Sequence, residues 1–403
     1  ITTASDASSV TKSMVKSTQW REGTSGTWLS TDCTLTAGKV YQFRTPLSGM
    51  SSSATAVLPN IKASVVIGWD TTATPISTVG GYFMYCYAYN CTSLTSLSVP
   101  DTSGLTSVGD YFMACYAESC TSLTSLPVPD TSGLTSVGGY FMYCYAINCT
   151  SLTSLSVPDT SGLTSVGTSF MSAYAYGCSS LTSLSVPDTS GLTSVGDYFM
   201  AYYAQNCTSL TSLSVPDTSG LTSVGDNFMY SYAQNCSSLT SLSVPDTSGL
   251  TSVGDNFMYY YAGGCTSLTS LSVPDTSGLT SVGDYFMSYY ASSCSSLTSL
   301  MLPSATGWFA SNNVSWGVPS TRLGSLKGYA PNSTAQTAWQ ALTVSGKTLY
   351  TNYIQSEDDV EVTATGNDYT LTCAAGSYTL TGSSVTLTHT PASQNLTLTC
   401  NAG

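Results

Sequence analysis

Apolar positions recur in this chain with a constant 29-residue period, carried by eight copies of one phrase between Gly80 and Pro303. A typical copy reads CTSLTSLSVPDTSGLTSVGDNFMYSYAQN, and no insertion separates one copy from the next. A fixed period in this range is the signature of a solenoid, in which each unit buries its apolar side only by stacking on its neighbours. We therefore expect one long stacked array with a different segment at each end.

The first half of each copy predicts a short parallel strand followed by a turn. Leu94, Leu97 and Val99 point inward, with serines between them pointing outward. The PDTSG stretch has turn chemistry, since Asp101 can close an Asx turn and Gly104 can adopt a positive φ. A second short extended piece follows at GLTSVG.

The second half of each copy predicts a short helix. Phe83, Tyr87 and Cys91 lie at i, i+4 and i+8, which is the spacing of one apolar helical face. The expected N-cap slot holds, in order, Gly81, Asp110, Gly139, Thr168, Asp197, Asp226, Asp255 and Asp284. Phe, Met, Tyr, Ala and Cys are fixed in all copies, as expected where each side chain packs on its own counterpart one coil away.

The remaining slots of the predicted helix vary from copy to copy and carry many tyrosines, a residue type favoured at interfaces. The alternative is a solvent-exposed face that is free to vary. The candidate binding residues on this face are Tyr85, Tyr89, Glu118, Tyr143, Tyr176, Tyr202, Gln205, Tyr230, Gln234, Tyr259, Tyr260 and Tyr289.

The repeated phrase C-x-x-L-x-x-L-x-V-P, followed by L-T-S-V-G-x-x-F-M-x-x-Y-A-x-x-C, resembles the BspA-type leucine-rich repeats of bacterial surface proteins. The resemblance implies an α/β leucine-rich-repeat solenoid of eight 29-residue repeats, with a short strand and a short helix per coil. It also implies a role in adhesion or surface assembly. This chain departs from the family pattern in its longer unit, its DTSG turn and its fuller FMxxYAxxC segment.

The flanking segments divide the chain into four predicted parts. Residues 1–75 form an N-terminal tail and β-rich cap, 76–303 the solenoid, 304–343 its C-terminal cap, and 344–403 a small antiparallel β-domain with alternating phrases such as NLTLTC. Because the tail has no core of its own, we expect it to dock on another surface, for instance as a strand added to a neighbouring subunit. The start at Ile1 suggests a secreted product whose leader has been removed.

Charge is sparse and unevenly distributed. Charged residues make up 8% of the chain, and residues 63–321 contain 14 acids and no base. Residues 1–62 hold six bases against three acids. An acidic array disfavours nucleic acid, while a basic head and an acidic body favour contacts between copies. No apolar run reaches the ~20 residues that a membrane span needs.

The spacing of the cysteines favours a structural role over metal binding. We expect a row of buried thiols at Cys91, Cys120, Cys149, Cys178, Cys207, Cys236, Cys265 and Cys294, because they lie one coil apart and do not converge as metal ligands would. Cys86, Cys115 and Cys144 form a second row with no defined pairing. Cys373 and Cys400 are the disulfide candidate, and Cys33 has no evident partner.

No cofactor or catalytic residue is predicted. Asp101 and its equivalents form an acidic row that hydrogen bonds within the turn can stabilise, with calcium between coils as the alternative. The chain has one histidine, His389, in an alternating strand, and no phosphate-binding glycine loop. The sequence thus favours a non-catalytic extracellular or cell-surface structural protein that self-associates, for instance into a filament or surface array. An adhesin for a host protein or glycan is the alternative, and ice binding on the hydroxyl-bearing strand face is less favoured.

Overall fold

The computed structural model describes residues 76–308 without a break, residues 19–23, 25, 27–31, 41–44 and 327–341, and further short strands on both sides of the array. The N-terminal strands are β1 (Thr2–Thr3), β2 (Gln19–Glu22), β3 (Tyr41–Arg44) and β4 (Val65–Ile67). Strands β2 and β3 pair in antiparallel fashion. Strand β4 pairs antiparallel with β1 and parallel with the first strand of the array. Apart from Thr2–Thr3, the predicted docking of residues 1–18 lies outside the described residues.

Most coils of the array contribute two short parallel strands, and the strands stack in two rows; the coil of Ser241 lacks the first strand. The first row contains β5 (Ser96–Leu97), β7 (Ser125–Leu126), β9 (Ser154–Leu155), β11 (Ser183–Leu184), β13 (Ser212–Leu213), β16 (Ser270–Ser272) and β18 (Ser299–Met301). The second row contains β6 (Ser107–Val108), β8 (Ser136–Val137), β10 (Ser165–Val166), β12 (Ser194–Val195), β14 (Ser223–Val224), β15 (Ser252–Val253) and β17 (Ser281–Val282).

The strand register equals the sequence period. Ser183 pairs with Ser212 and Leu184 with Leu213, so every residue stacks on its own counterpart. The eight copies form a parallel solenoid of about seven turns, counted from Cys91 to Cys294.

The predicted helix in each coil is not formed, and this part of the prediction was wrong. The segment from Gly81 to Cys91 and its equivalents, here called the alternating segment, is a chain of turns. Residues with φ near +50° to +60° alternate with ordinary ones: Tyr82, Met84 and Cys86 all lie in the left-handed region. Main-chain amides bond to the next coil, for example Cys86 N–H to the Ala114 carbonyl at 2.9 Å.

The side chains that the helical spacing placed inside are nevertheless inside. Phe83, Met84, Tyr87, Ala88 and Cys91 are all buried. Buried residues recur at intervals of four positions, as in Phe83, Tyr87 and Cys91. This spacing is the same whether the backbone is a helix or the alternating segment. The sequence pattern therefore identified the core but not the backbone that carries it.

The structure also corrects the predictions for the N-cap aspartates and for Gly104. The proposed N-cap aspartates cap the next coil: Asp110 Oδ1 accepts from Gly139 N–H at 2.8 Å, and Asp226 Oδ1 from Asp255 N–H at 2.8 Å. Gly104 and its equivalents do not adopt a positive φ. At Gly133 glycine is required by close approach, because a Cβ atom would lie 2.7 Å from the Leu105 carbonyl oxygen.

The core consists of stacked columns of identical side chains. Neighbouring phenylalanines such as Phe141 and Phe170 have ring centroids 5.6 Å apart and nearly parallel planes. Neighbouring tyrosines of the Tyr87 slot stack in the same way, with Tyr145 and Tyr174 5.4 Å apart. Each of these buried tyrosines from Tyr116 to Tyr290 donates its hydroxyl across the coil to a main-chain carbonyl at the first strand row, as Tyr203 does to Ser185, the residue after β11, at 2.7 Å.

After the array, the parallel sheet continues into the C-terminal segment. Strand β18 pairs with β19 (Lys327–Ala330), which pairs with β22 (Ile354–Ser356). Helix α1 (Ser333–Ala341) begins after Asn332, whose Oδ1 accepts from Ala335 N–H, and its Trp339 donates to the Pro303 carbonyl at 3.0 Å. The parallel pairing of β22 thus extends past residue 344, where the small β-domain is predicted to begin.

The remaining strands pair in antiparallel fashion. Strands β20 (Thr343–Val344) and β21 (Lys347–Thr348) form one pair. Strands β23 (Glu361–Thr365), β24 (Asp368–Cys373) and β25 (Gly376–Thr381) form a sheet, and β26 (Val385–Thr390) and β27 (Asn395–Cys400) form another pair. Across the described part of the chain, no helix has the length and apolar character required to cross a bilayer.

Candidate binding surfaces

The outward tyrosines of the alternating segment form two clusters. The N-terminal tyrosine cluster comprises Tyr82, Tyr85, Tyr111, Tyr140 and Tyr143. Its core is the stack of Tyr82 on Tyr111 and Tyr111 on Tyr140, with centroid distances of 4.6 and 4.4 Å. The following coil carries Ser169, Ser172 and Ala173 in the corresponding slots and separates this cluster from the second one.

The C-terminal tyrosine cluster is the larger of the two. It comprises Tyr202, Tyr230, Tyr259, Tyr260, Tyr285 and Tyr289. Tyr260 stacks on Tyr289 at 4.6 Å, and Tyr259 meets both rings edge-on. Tyr285 is 66% and Tyr289 46% exposed, so this cluster presents rigid aromatic surface to solvent.

Most of the sequence-predicted tyrosines fall in these clusters, but not all candidates do. Tyr85, Tyr143, Tyr202, Tyr230, Tyr259, Tyr260 and Tyr289 are cluster members. Tyr89 is exposed, whereas Tyr176 packs on the buried side chains of Cys115, Cys144 and Ala173. Gln205 donates to Gln234 at 2.7 Å, so these two amides pair with each other.

Sequence reasoning missed the slot that follows the N-cap position. Tyr82, Tyr111, Tyr140, Tyr198 and Tyr285 occupy it. In a helix this slot would lie on the same face as the variable slots, which follow it at i+3, i+4 and i+7, so the helical spacing already placed it among the outward candidates. One sequence signal could have revealed the backbone of the alternating segment. The slot of Asn90 holds only Asn, Ser or Gly, and it has a positive φ in every copy; Asn and Gly are the residues that most readily adopt that conformation.

A second surface lies on the first strand row, where outward serines line a shallow groove. This serine groove is formed by Ser154, Ser156, Ser183, Ser185, Ser212 and Ser214, with Leu155 and Leu184 at its base. Ser154, Ser183 and Ser212 are exposed and lie one 29-residue period apart, and Ser183 pairs in register with Ser212. The groove therefore offers hydroxyl donors and acceptors at a regular spacing of about 4.8 Å.

The acidic row is stabilised inside its own turn. Asp101 Oδ1 accepts from the Ser103 hydroxyl at 2.7 Å and from the Ser103 amide at 3.1 Å, and these bonds hold the pKa of Asp101 below its usual value. The same pattern recurs along the row, and the pKa values of Asp188 and Asp217 are lowered for the same reason. Within the described residues, no three His, Cys, Asp or Glu side chains converge as they would around a metal ion.

The eight-cysteine row lies in the core. Cys91 to Cys294 are all buried, and Cys149 donates its thiol to the Ala117 carbonyl of the preceding coil at 3.0 Å. Burial raises the pKa of Cys149 and of Cys207 to about 12, so these thiols stay protonated at neutral pH. The side chains of Cys33, Cys373 and Cys400 lie outside the described residues, and the Cys373–Cys400 disulfide stays a prediction.

These features define a leucine-rich-repeat solenoid whose outer faces carry the tyrosine clusters and the serine groove. The model of the BspA type leucine-rich repeat region matches this chain in six copies, over residues 83–231 and 142–312. The matched stretch is more than half of the chain, which therefore belongs to this family.

Solved structures and curated sequences do not extend this family assignment. A leucine-rich repeat protein from Bacteroides ovatus ATCC 8483, known from its crystal structure, is 18% identical over 54% of this chain and 75% of that one, with a TM-score of 0.18. No curated protein sequence matches the chain. Solenoids of this family are typically non-catalytic.

Proposed function

We propose that this chain is a non-catalytic cell-surface structural protein that associates with other copies of itself. The observation that carries the proposal is the C-terminal tyrosine cluster, a rigid, partly exposed aromatic surface on a face without lysine or arginine. Tyrosine supplies large contact area at a small loss of side-chain entropy, which makes it frequent among the residues that dominate binding. The surface location rests on the family, whose members are typically surface-associated in bacteria.

The charge distribution supports a second copy as the partner. All charged residues between positions 63 and 321 are acidic, while residues 1–62 contain more basic than acidic residues. A basic head on an acidic array would add attraction between copies that salt weakens. The two ends of the strand ladder are less suited to association, since β4 and β1 extend one end and β19 and β22 the other.

Replacing the exposed tyrosines should therefore weaken association. In the triple variant Tyr259→Ser, Tyr285→Ser, Tyr289→Ser, we expect the dissociation constant between copies to rise at least about tenfold, because interface tyrosines each contribute about 1–2 kcal/mol or more. Analytical ultracentrifugation over a concentration series measures this constant, and negative-stain microscopy shows the assemblies.

The matched control is Tyr82→Ser, an exposed tyrosine of the same slot as Tyr285 that belongs to the N-terminal tyrosine cluster. It should associate like the unchanged protein. A wild-type chain that remains monomeric at the highest concentration, or a triple variant that assembles equally well, would refute self-association through this cluster.

The serine groove favours a second candidate, an adhesin that binds a glycan. Sugar hydroxyls pair with serine hydroxyls, and the in-register spacing suits an extended chain of sugars. In the variant Ser154→Ala, Ser183→Ala, Ser212→Ala, we expect binding on a glycan array to drop about tenfold or more, since each lost hydrogen bond contributes about 0.5–1.5 kcal/mol.

The second strand row offers a matched control. Ser165→Ala, Ser194→Ala and Ser223→Ala change the same residue type in the same strand geometry, outside the groove, and should leave glycan binding unchanged. Equal loss in both variants, or no glycan bound by the unchanged protein, would rule out the groove as a glycan site. Thermal hysteresis measured on the same variants tests ice binding, for which the groove would be the contact plane.

A further inference from the structure

Three thiols stand in line on the outer side of the first three coils, apart from the buried cysteine row. Cys86, Cys115 and Cys144 occupy the same slot of three successive copies and share one backbone conformation, with φ of 50°, 54° and 56°. Cys115 and Cys144 are 7% and 6% exposed, whereas Cys86 is half-buried. The next coil has Ala173 in this slot, so the thiol row ends there.

The thiols touch one another and two further polar groups. Cys115 lies between Cys86 and Cys144, and all three pack in one cluster with Tyr85. The half-buried Glu118 carboxylate lies beside Cys115. Contact with Cys115 lowers the pKa of Cys86. Interaction with Cys144 and Cys86, together with burial, raises the pKa of Cys115, and burial raises the pKa of Glu118. An accessible thiol, a shielded thiol and a carboxylate are thus in contact.

We propose that Cys86 and Cys115 form a thiol–disulfide exchange site for small-molecule disulfides, in which Cys86 attacks, Cys115 resolves and Glu118 accepts the Cys115 proton. Exchange requires a thiolate with access to solvent, and of the three thiols Cys86 is the most accessible. Cys115 is the neighbour that reaches Cys86, since Cys144 lies one coil further away.

The exchange balances in two steps. The Cys86 thiolate, whose proton has gone to solvent, attacks one sulfur of the disulfide RSSR; a Cys86–SR bond forms, and RS⁻ leaves and is protonated. Cys115 then gives its proton to Glu118, its sulfur attacks Cys86 Sγ, and the second RS⁻ leaves and takes that proton from Glu118. The two cysteine thiols are oxidised by two electrons to Cys86–Cys115, and RSSR is reduced to two molecules of RSH.

The stacking of the coils brings Cys86 and Cys115 close enough for this disulfide. Main-chain bonds of 2.9 Å from Cys86 to Ala114 and 2.7 Å from Cys115 to Tyr143 hold the coils together. Neighbouring coils stand about 4.8 Å apart, within the roughly 4.4–6.8 Å that Cα atoms of a disulfide span.

The eight-cysteine row is not suited to the same chemistry. Its thiols are buried in the core and donate to carbonyl oxygens of the preceding coil, as Cys120 does to Ala88 at 2.9 Å. The pKa of about 12 at Cys149 leaves almost no thiolate at neutral pH. Exchange in the folded array should therefore be confined to the first three coils.

The test treats the reduced full-length chain with oxidised glutathione and stops the reaction by alkylation at successive times. Chymotryptic mapping by mass spectrometry is needed, because residues 63–321 contain no lysine or arginine for trypsin. We expect a transient glutathione adduct on Cys86, followed by a Cys86–Cys115 linkage. An adduct that persists on Cys86, a Cys115–Cys144 linkage formed without Cys86, or no reaction of these thiols would overturn the proposal.

Alanine variants isolate each role without disturbing the fold, because Ala173 already fills this slot in the fourth coil. In Cys115→Ala the adduct on Cys86 should accumulate, and in Cys86→Ala neither Cys115 nor Cys144 should react. Cys144→Ala is the matched control and should close at the wild-type rate. In Glu118→Gln the adduct should form normally but close about 10²-fold more slowly; closure at the wild-type rate would remove Glu118 from the mechanism.

Discussion

Phe199→Ala is expected to destabilise the array by about 3–5 kcal/mol, the usual range for removing a buried aromatic ring. Phe199 is fully buried and stacks between Phe170 and Phe228, at centroid distances of 5.8 and 5.5 Å. The cavity left by the ring opens onto both neighbouring coils, and in a solenoid those neighbours provide nearly all the stabilising contacts of a coil. Urea denaturation followed by circular dichroism measures the loss as a lower midpoint.

The control for this variant is the preceding residue. Tyr198→Ala removes an aromatic ring of similar size from a side chain that is 39% exposed, and it should change stability by only about 0.5 kcal/mol. Equal losses from both variants would show that the phenylalanine column is not the main support of the array. A change in the slope of the denaturation curve for Phe199→Ala would show that the array unfolds in separate parts.

Gly196→Ala is the second change expected to have a large effect, on the order of 1–3 kcal/mol or more. A Cβ atom at Gly196 would lie 2.7 Å from both the carbonyl carbon of Gly167 and the amide nitrogen of Thr168. These are main-chain atoms of the preceding coil, so no side chain can rotate to make room. The coils would have to separate at this point, which weakens the hydrogen bonds and ring stacking on both sides.

Gly139→Ala provides the comparison, because a Cβ atom there would meet its nearest neighbours at 3.6 and 3.7 Å, ordinary contact distances. The φ of Gly139 lies outside the left-handed region, so alanine meets no backbone strain. This variant should keep the wild-type melting temperature, while Gly196→Ala should melt several degrees lower in a calorimetric scan. Similar melting temperatures would show that the coils can shift apart at little cost in free energy.

Much of this molecule could be predicted from its sequence because the repeat is exact in length. A constant 29-residue period fixes the register, and the strand pairs do align Ser with Ser and Leu with Leu one period apart. The fixed slots of Phe83, Tyr87 and Cys91 are buried, as their identity in every copy indicated. Hydrogen bonding of Asp101 within its turn also followed from local chemistry.

The backbone of the alternating segment could not be predicted in the same way. A helix satisfies its amides within four residues, whereas Cys86 and Ala88 bond to carbonyls of the next coil. Both backbones bury the same side chains, so the apolar spacing does not distinguish them. The choice depends on carbonyls that belong to the next copy of the repeat, and only stacking brings those within reach.

The candidate sites likewise depend partly on the sequence and partly on the tertiary structure. The sequence alone determined the solenoid, its register, its core residues and the presence of outward tyrosines and serines. The tertiary structure decided which tyrosines gather into clusters and brought Cys86 and Cys115 of successive coils together. The reason is that the alternating segment forms main-chain hydrogen bonds between coils, and these exist only once the copies are stacked.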